Sequence, residues 1–417
     1  MMLKKMGHAS ETGFASRLVR PRKGLKAIVP PCTLAPKRPQ NRVCGSRLKR
    51  CSPTGALPKP FLNQVFPVPP PRPPLKLHDT LFDLPLATPP VPTPRFYNLC
   101  PQDSPGRQAR TVTGELTEGL MAEAASVSPK FFYNPLGSRL FEAITALDEY
   151  YPTRTEAAIF EAASRQMART LAEHGLSHPC LIDLGAGNCA KAMALIPHLH
   201  PRQYVPVDIS VDFLRDAAAQ LQHRFPALDI VGVGMDFSAG LALPDAVQER
   251  DRVFFYPGSS LGNFQPAQAL AFLRHMADPA RGKARGLLLG IDLVKDRATL
   301  EAAYDDALGV TAAFNKNLLL NVNDLLAADF DVRQWRHVAL FNAAQSRIEM
   351  HLQALCNLTA RWPGHSRRFL AGERIHTESS YKYTAESMTA LLKQAGFRHI
   401  RHWSDPQDWF AVFWAAV

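Results

Sequence analysis

The chain has 417 residues, of which 46% are hydrophobic and 20% are charged. It can therefore bury a large core and is expected to form one large or two medium domains, which excludes a chain that is disordered throughout. No uninterrupted apolar run reaches membrane-spanning length, so no membrane partner is expected. The formal net charge of +11 raises the question of a nucleic-acid partner.

The excess positive charge lies in the first part of the chain. Residues 1–110 carry 19 Lys and Arg against 4 Asp and Glu, whereas the remainder carries 29 against 33. The same segment holds 21 of the 35 prolines, which predicts a basic, Pro-rich disordered segment. A transit peptide, a nucleic-acid-binding arm and an upstream translation start each fit this composition, and the last is favoured. The remainder is mildly acidic, so a nucleic-acid partner is not expected there.

The seven cysteines show no CxxC spacing, which predicts neither a metal site nor a disulfide framework. A reduced, cytoplasmic setting and a monomer are expected.

Beyond residue 110 the sequence pattern is first helical and then alternates between strand-like and helical runs. Apolar residues at spacings of three and four predict helices in residues 115–127, 140–150 and 153–176, which form a helical cap over residues 111–178. Residues 179–298 alternate strand-like and helical runs. This pattern predicts an α/β fold with five parallel strands and right-handed crossovers in a doubly wound sheet.

The alternation breaks over residues 299–384, where a helical stretch is followed by a hairpin pattern, and this predicts an inserted α+β substrate-binding domain. In the last part, residues 385–417, Thr384 is predicted to cap a helix that ends at Gly396, and a closing antiparallel hairpin follows. Methyltransferases usually finish a parallel sheet with such a hairpin, whereas dehydrogenases usually continue with parallel strands.

Two strings within the alternating region carry a nucleoside-binding pattern: LIDLGAGNCAK (181–191) and YVPVDIS (204–210). Asp208 follows Gly187 by 21 residues, a spacing that lets a carboxylate at the end of the second strand reach the ribose of a nucleotide over the glycine turn. Gly185, Gly187 and Ala190 also match GxGxxA, so this motif alone leaves NAD and S-adenosyl-L-methionine open. A short turn without a strict pyrophosphate cradle favours S-adenosyl-L-methionine.

Longer strings make the pattern more specific. FFYNPLGSRLFEAITALDEYYPTRTE (131–156), DRVFFYPGSSLGNF (251–264), AAYDDALGVTAAFNKNLL (302–319) and HTESSYKY (376–383), together with the two strings above, resemble the L-histidine Nα-methyltransferase family of ergothioneine biosynthesis. The resemblance runs from about residue 112 to the C-terminus. It implies a Rossmann-like class I methyltransferase sheet with S-adenosyl-L-methionine as cofactor.

The resemblance also implies which residues contact the cofactor. Gly185, with its neighbour Gly187, and Lys191 fall at cofactor-binding positions, and Asp208 takes the ribose. At the end of the next strand, Asp236 and Phe237 meet the adenine. These two also have a plain physical interpretation, because a carboxylate can accept from the adenine amino group while an aromatic ring packs on the base.

The substrate positions follow from the same resemblance. Gly258 and Asn263 fall beside the α-amino and carboxylate groups of the substrate, and Tyr304 at its carboxylate. Glu378 and Ser380 are implied as the groups that recognise the imidazole. Period-two alternation places Glu378 and Ser380 on one strand face, so they can point together.

Three aromatic residues of the cap, Tyr133, Phe141 and Tyr150, match positions that line the histidine pocket; ordinary core packing is the alternative, most of all for Phe141. Tyr133 and Asn263 are the catalytic candidates, with Tyr133 as a route for the amine proton through water.

The resemblance implies Nα-trimethylation of L-histidine to hercynine without a metal. A same-fold enzyme that acts on the α-amine of another amino acid is the alternative. Two further classes stay open: a nucleic-acid-binding protein, tested by deleting residues 1–105, and an NAD-dependent oxidoreductase, tested by nicotinamide binding.

Overall fold

The computed structural model describes residues 93–100, 105–238 and 240–417. Most of the Pro-rich segment predicted over residues 1–110 lies outside the described residues. Within that segment, however, Arg95–Asn98 form a strand and a helix begins at Pro105. The prediction that regular structure starts only after residue 110 is therefore wrong at these two places.

Apolar runs form the central strands, because β-branched and aromatic side chains pack well on a pleated, buried surface. The strands are β1 (Arg95–Asn98), β2 (Cys180–Leu184), β3 (Gln203–Asp208), β4 (Asp229–Gly234), β5 (Arg252–Tyr256), β6 (Ala284–Asp292), β7 (Trp335–Asn342), β8 (Arg347–Ala354), β9 (Leu358–Trp362), β10 (His365–Phe369), β11 (Arg374–Tyr381), β12 (Arg398–Ser404) and β13 (Phe410–Ala416). The α-helices are α1 (Pro105–Met121), α2 (Pro135–Thr145), α3 (Tyr151–Glu173), α4 (Ala190–Leu199), α5 (Val211–Arg224), α6 (Pro266–Ala277), α7 (Arg297–Ala302), α8 (Val310–Leu326) and α9 (Ala385–Ala395).

The main sheet has the order β1-β4-β3-β2-β5-β6-β13-β12. Neighbours from β1 to β6 are parallel, and β13 runs antiparallel to both β6 and β12. The predicted five parallel strands and closing antiparallel hairpin are confirmed. The sequence prediction missed β1, which adds a parallel strand beside β4. A deletion that tests the basic segment must therefore stop before Arg95.

Helices cover both faces of this sheet, so β2 and β5 are buried along their whole length. One face packs against α3, α4 and α5, with Phe160, Leu195 and Leu214 in its apolar cluster. The other face packs against α6 and α9 through Leu273 and Leu392. Thr384 caps α9 as predicted, accepting from the Ser387 amide, and Gly396 ends the helix at φ 109°.

A further apolar cluster joins the cap to the insertion. The α1 and α2 helices pack against α8, and the rings of Phe132 and Phe314 stack with centroids 4.5 Å apart. Strands β11, β8 and β7 form a small antiparallel sheet whose Met350 and Trp335 enter the same cluster, and β9 pairs with β10. Cap and insertion thus share one core and are held together by it.

None of the helices in the described ranges is long and apolar enough to cross a membrane. Among the described His, Cys, Asp and Glu residues, no group of three or more could hold a metal ion.

Candidate active site

The turn after β2 leaves room for a ligand at the carboxyl edge of the sheet. Gly185 and Gly187 have φ values of 71° and 52°, a left-handed conformation that glycine adopts without strain. The Gly187 amide donates to Asp208 Oδ2 at 3.0 Å, and nothing lies within 4 Å of a Cβ placed on Gly187. The predicted glycine turn and ribose carboxylate are therefore adjacent in space.

The end of β4 supplies the next part of this edge. Asp208 pairs in register with Gly234, the last residue of β4, so Asp236 lies just beyond the end of the neighbouring strand. The Asp236 carboxylate accepts from the Ser238 amide at 3.0 Å. The Phe237 ring reaches to 4.0 Å from a Cβ placed on Gly185, which puts the ring beside the glycine turn.

Lys191 links this edge to a residue that the sequence prediction missed. Its Nζ lies 2.7 Å from Oε2 of Glu156, a fully buried carboxylate on α3. Both Glu156 oxygens accept from the Gly258 amide, at 2.9 and 3.1 Å. A Cβ on Gly290 would lie 2.0 Å from Glu156 Oε1, so glycine is needed there. Glu156 thus ties the cofactor edge to the loop after β5.

These residues fit S-adenosyl-L-methionine. The turn offers close backbone approach, and Asp208 and Asp236 are suited to the ribose hydroxyls and the adenine amino group. Phe237 presents an aromatic face for a base. The fit rests on an open glycine turn flanked by two carboxylates.

A cavity that is partly open to solvent lies next to this edge. The structure brings all of the predicted substrate residues together in its lining, which comprises Tyr133, Phe141, Tyr150, Gly258, Asn263, Tyr304, Glu378 and Ser380 among others. They come from the cap, the loop after β5 and the insertion, so the cavity forms where these three parts meet.

Aromatic rings form one wall of the cavity. Tyr133 and Phe141 meet edge to face with centroids 5.8 Å apart, and Phe141 meets Tyr150 at 6.2 Å. Phe141 therefore packs against other aromatic rings and also lines the cavity. Burial raises the pKa of the Tyr133 hydroxyl well above its usual value of 10.0, and the nearby Glu378 carboxylate adds to this rise. The Tyr133 phenol thus keeps its proton.

Glu378 is the one carboxyl group among the described residues of the lining. It is 8% exposed, and burial raises its pKa to about 7, although the charge of Lys382 opposes the rise. The shift in pairing register between His376 and Glu378 marks a β-bulge in β11, beyond which Glu378 and Ser380 both face the cavity. The two predicted imidazole-recognition residues thus lie side by side.

Several lining residues carried no recognisable signal in the sequence: Ile144, Ser259, Ser260, Ala303, Thr311, Phe314 and Met350. Thr311 stands out because its hydroxyl is buried and has no hydrogen-bond partner among the described residues. A buried unpaired hydroxyl is costly, so Thr311 is a further candidate for a substrate contact. Its place near the start of α8 reads as ordinary helix in the sequence.

The sheet order, the closing hairpin and the glycine turn flanked by Asp208 and Asp236 define a Rossmann-like class I methyltransferase. Residues 112–417 match the family model described as histidine-specific methyltransferase, S-adenosylmethionine-dependent. The chain belongs to this family.

Two relatives and one solved structure illustrate the likeness. The chain is 40% identical over 310 residues to histidine N-alpha-methyltransferase of Mycolicibacterium smegmatis, covering 73% of this chain and 94% of that protein. It is 28% identical over 292 residues to ergothioneine biosynthesis protein 1 of Neurospora crassa, covering 65% of this chain and 31% of that protein. Magnesium protoporphyrin IX methyltransferase of Synechocystis with bound S-adenosylhomocysteine aligns with a TM-score of 0.37 and 13% identity, over 69% of this chain and 96% of that one.

Proposed function

We propose that the protein methylates the α-amine of L-histidine three times to give hercynine, the first step of ergothioneine biosynthesis, with S-adenosyl-L-methionine as methyl donor. One observation carries the proposal: the residues implied for the amino acid and for the imidazole line one cavity, and Gly258 of that lining is joined through Glu156 to Lys191 at the cofactor edge. Family membership supports the same conclusion.

The two ends of the cavity differ in chemistry, and this supports one orientation of the substrate. Glu378 and Ser380 offer an acceptor and a hydroxyl to an imidazole. Gly258, in the same lining, donates to Glu156 of the Glu156–Lys191 pair at the cofactor edge. The α-amine would therefore face the methyl donor while the ring is held away from it.

When bound, S-adenosyl-L-methionine supplies a methyl group activated by the positive sulfur. The protein must then align a neutral amine with that methyl group and exclude water. A carboxylate beside the amine would favour the ammonium form, which cannot attack. Glu378 lies with the imidazole-recognition residues, and the Glu156 carboxylate that accepts from the Gly258 amide is paired with Lys191, so neither offers an unpaired charge to the amine.

Tyr133 is the proposed route for the amine proton. Because burial keeps the phenol protonated, Tyr133 could only pass a proton on, through water, and could not store it. Asn263 would orient the amino acid by hydrogen bonds from its amide. Asn263 is exposed and lines the cavity, so it can contact a substrate there.

Mass spectrometry tests the proposal directly. The purified protein is incubated with S-adenosyl-L-methionine and an equimolar mixture of the twenty amino acids. A gain of three methyl groups on histidine alone is expected. Methylation of a different amino acid would keep the class of enzyme but contradict the imidazole role of Glu378 and Ser380, and no methylation would contradict the proposal.

A further inference from the structure

A buried lysine lies directly behind the imidazole end of the cavity. Lys382 is 3% exposed, and its Nζ contacts three oxygens: Asp292 Oδ2 at 2.7 Å, Tyr304 Oη at 3.0 Å and Ser380 Oγ at 2.9 Å. A lysine ammonium has three N–H donors and no acceptor. All three donors are therefore engaged, and each of the two hydroxyl oxygens accepts one of them.

The two hydroxyl groups are also bonded to each other, since Tyr304 Oη and Ser380 Oγ are 2.9 Å apart. This contact uses one of their two protons. The other proton cannot point at Lys382, which has nothing to accept it. One hydroxyl proton of the pair is thus left to donate elsewhere, and both residues line the cavity.

The acidity of the two groups decides which proton remains. A phenol is a stronger acid than an aliphatic alcohol, so Tyr304 is the better donor within the pair. Ser380 Oγ then accepts from both Tyr304 and Lys382, which fills its two lone pairs. In this arrangement Tyr304 gives its proton to Ser380 and not to the substrate carboxylate, and this replaces the role that the resemblance implies for Tyr304. Its own O–H must point into the cavity, beside the Glu378 carboxylate.

We infer that Lys382 is a positioning residue, which fixes the Ser380 hydroxyl as a donor so that the pocket accepts the neutral imidazole of histidine in a single tautomer. The ring N–H donates to Glu378, and the bare ring nitrogen accepts from Ser380. An imidazolium would present a second N–H to an oxygen whose lone pairs are already filled. This inference rests on the proposed function and adds the selection of one form of the substrate.

The alternative role for Lys382 is to neutralise Asp292, which is fully buried. Asp292, however, has other partners: Lys295 Nζ at 2.5 Å and the Tyr151 hydroxyl at 2.7 Å. The Lys295 side chain is 4% exposed, and no contact joins it to Tyr304 or Ser380 among the described hydrogen bonds. Lys295 therefore serves as a matched control, because it contacts the Asp292 carboxylate but neither the Tyr304 nor the Ser380 hydroxyl.

Steady-state kinetics separate the two roles. Lys382→Met is expected to raise KM for L-histidine about tenfold with KM for S-adenosyl-L-methionine unchanged, since a misdirected buried hydrogen bond costs that much. Lys295→Met should leave KM for L-histidine within about twofold. When Ser380 is already replaced by alanine, Lys382→Met should raise KM for L-histidine by less than about a further twofold, because the hydroxyl that Lys382 directs is gone. Full additivity of the two changes, or an equal effect of Lys295→Met, would overturn the inference.

A second test uses the unaltered protein, so it does not depend on whether a substituted protein folds. [¹⁵N]L-histidine is bound in the presence of S-adenosylhomocysteine at pH 8, above the pKa of Glu378, and the ring nitrogens are observed by NMR. One protonated and one bare nitrogen in a single tautomer are expected. Bound imidazolium or a mixture of tautomers would contradict the role of Lys382, whereas absence of binding to histidine would contradict the proposed function itself.

Discussion

Replacing Glu156 by glutamine tests whether the cofactor edge and the substrate cavity are positioned together. The fully buried carboxylate accepts the single Gly258 N–H with both of its oxygens and pairs with Lys191 at 2.7 Å. Glutamine has nearly the same shape but one acceptor oxygen and no charge. Whichever way the glutamine amide is turned, its NH2 group faces the Gly258 N–H or the Lys191 ammonium, and neither of these can accept from it.

The size of the effect follows from these contacts. A hydrogen bond to a charged acceptor contributes about 1 kcal/mol more than a neutral one. The Lys191 side chain is 35% exposed, so solvent limits the ion pair to about 1 kcal/mol. The total of about 2 kcal/mol corresponds to a loss of roughly thirtyfold in kcat/KM. Because Glu156 contacts both sites, KM should rise for both L-histidine and S-adenosyl-L-methionine.

The assay is steady-state methyl transfer with each substrate varied in turn, alongside thermal unfolding. Glu161→Gln is the control, since Glu161 is an exposed carboxylate on the same helix. Gly290→Ala disturbs the same carboxylate, because the new Cβ would lie 2.0 Å from Glu156 Oε1. It should reproduce the kinetic effect of Glu156→Gln. If Glu156→Gln keeps both KM values and kcat within twofold of the unaltered protein, the positioning role is refuted.

Three further predictions concern Glu378, Asp208 and Tyr133. Burial raises the pKa of Glu378 to about 7, so the ionised form that accepts from the imidazole is lost as the pH falls through 7. The kcat/KM for L-histidine should therefore fall between pH 8 and pH 6. It should fall less in the Glu378→Gln variant, whose amide does not titrate. Asp208→Asn should weaken S-adenosyl-L-methionine binding by about tenfold in calorimetry, because charge-assisted hydrogen bonds are lost; unchanged affinity would contradict the ribose role. Tyr133→Phe should lower kcat and alter its pH dependence, and an unchanged profile would remove Tyr133 from the proton route.

The features that the sequence predicted well are those encoded locally. Asp208 ends an apolar run at a fixed distance from a glycine turn, and the contact at 3.0 Å follows from that geometry. Thr384 and Gly396 likewise mark the ends of α9 through chemistry within a few residues. Glu378 and Ser380 were placed on one strand face by period-two alternation, and the resemblance supplied their role.

Features that depend on distant contacts were missed. Glu156 reads as one polar residue in an amphipathic helix, and its partner Gly258 lies 102 residues away. The hydroxyl of Tyr304 meets Ser380 across 76 residues, so no local pattern reveals that Lys382 joins them. The β1 strand was hidden because prolines dominate the composition around it, although four residues suffice for an edge strand.

The position and number of the transferred methyl groups test the central claim most directly. L-histidine is converted with S-adenosyl-L-methionine that carries a ¹³C-labelled methyl group, and the product is examined by NMR and tandem mass spectrometry. Three equivalent methyl groups on the α-nitrogen, with the ring nitrogens unmodified, are expected because Glu378 and Ser380 hold the ring away from the donor. A methyl group on a ring nitrogen would contradict the orientation and with it the account of the pocket.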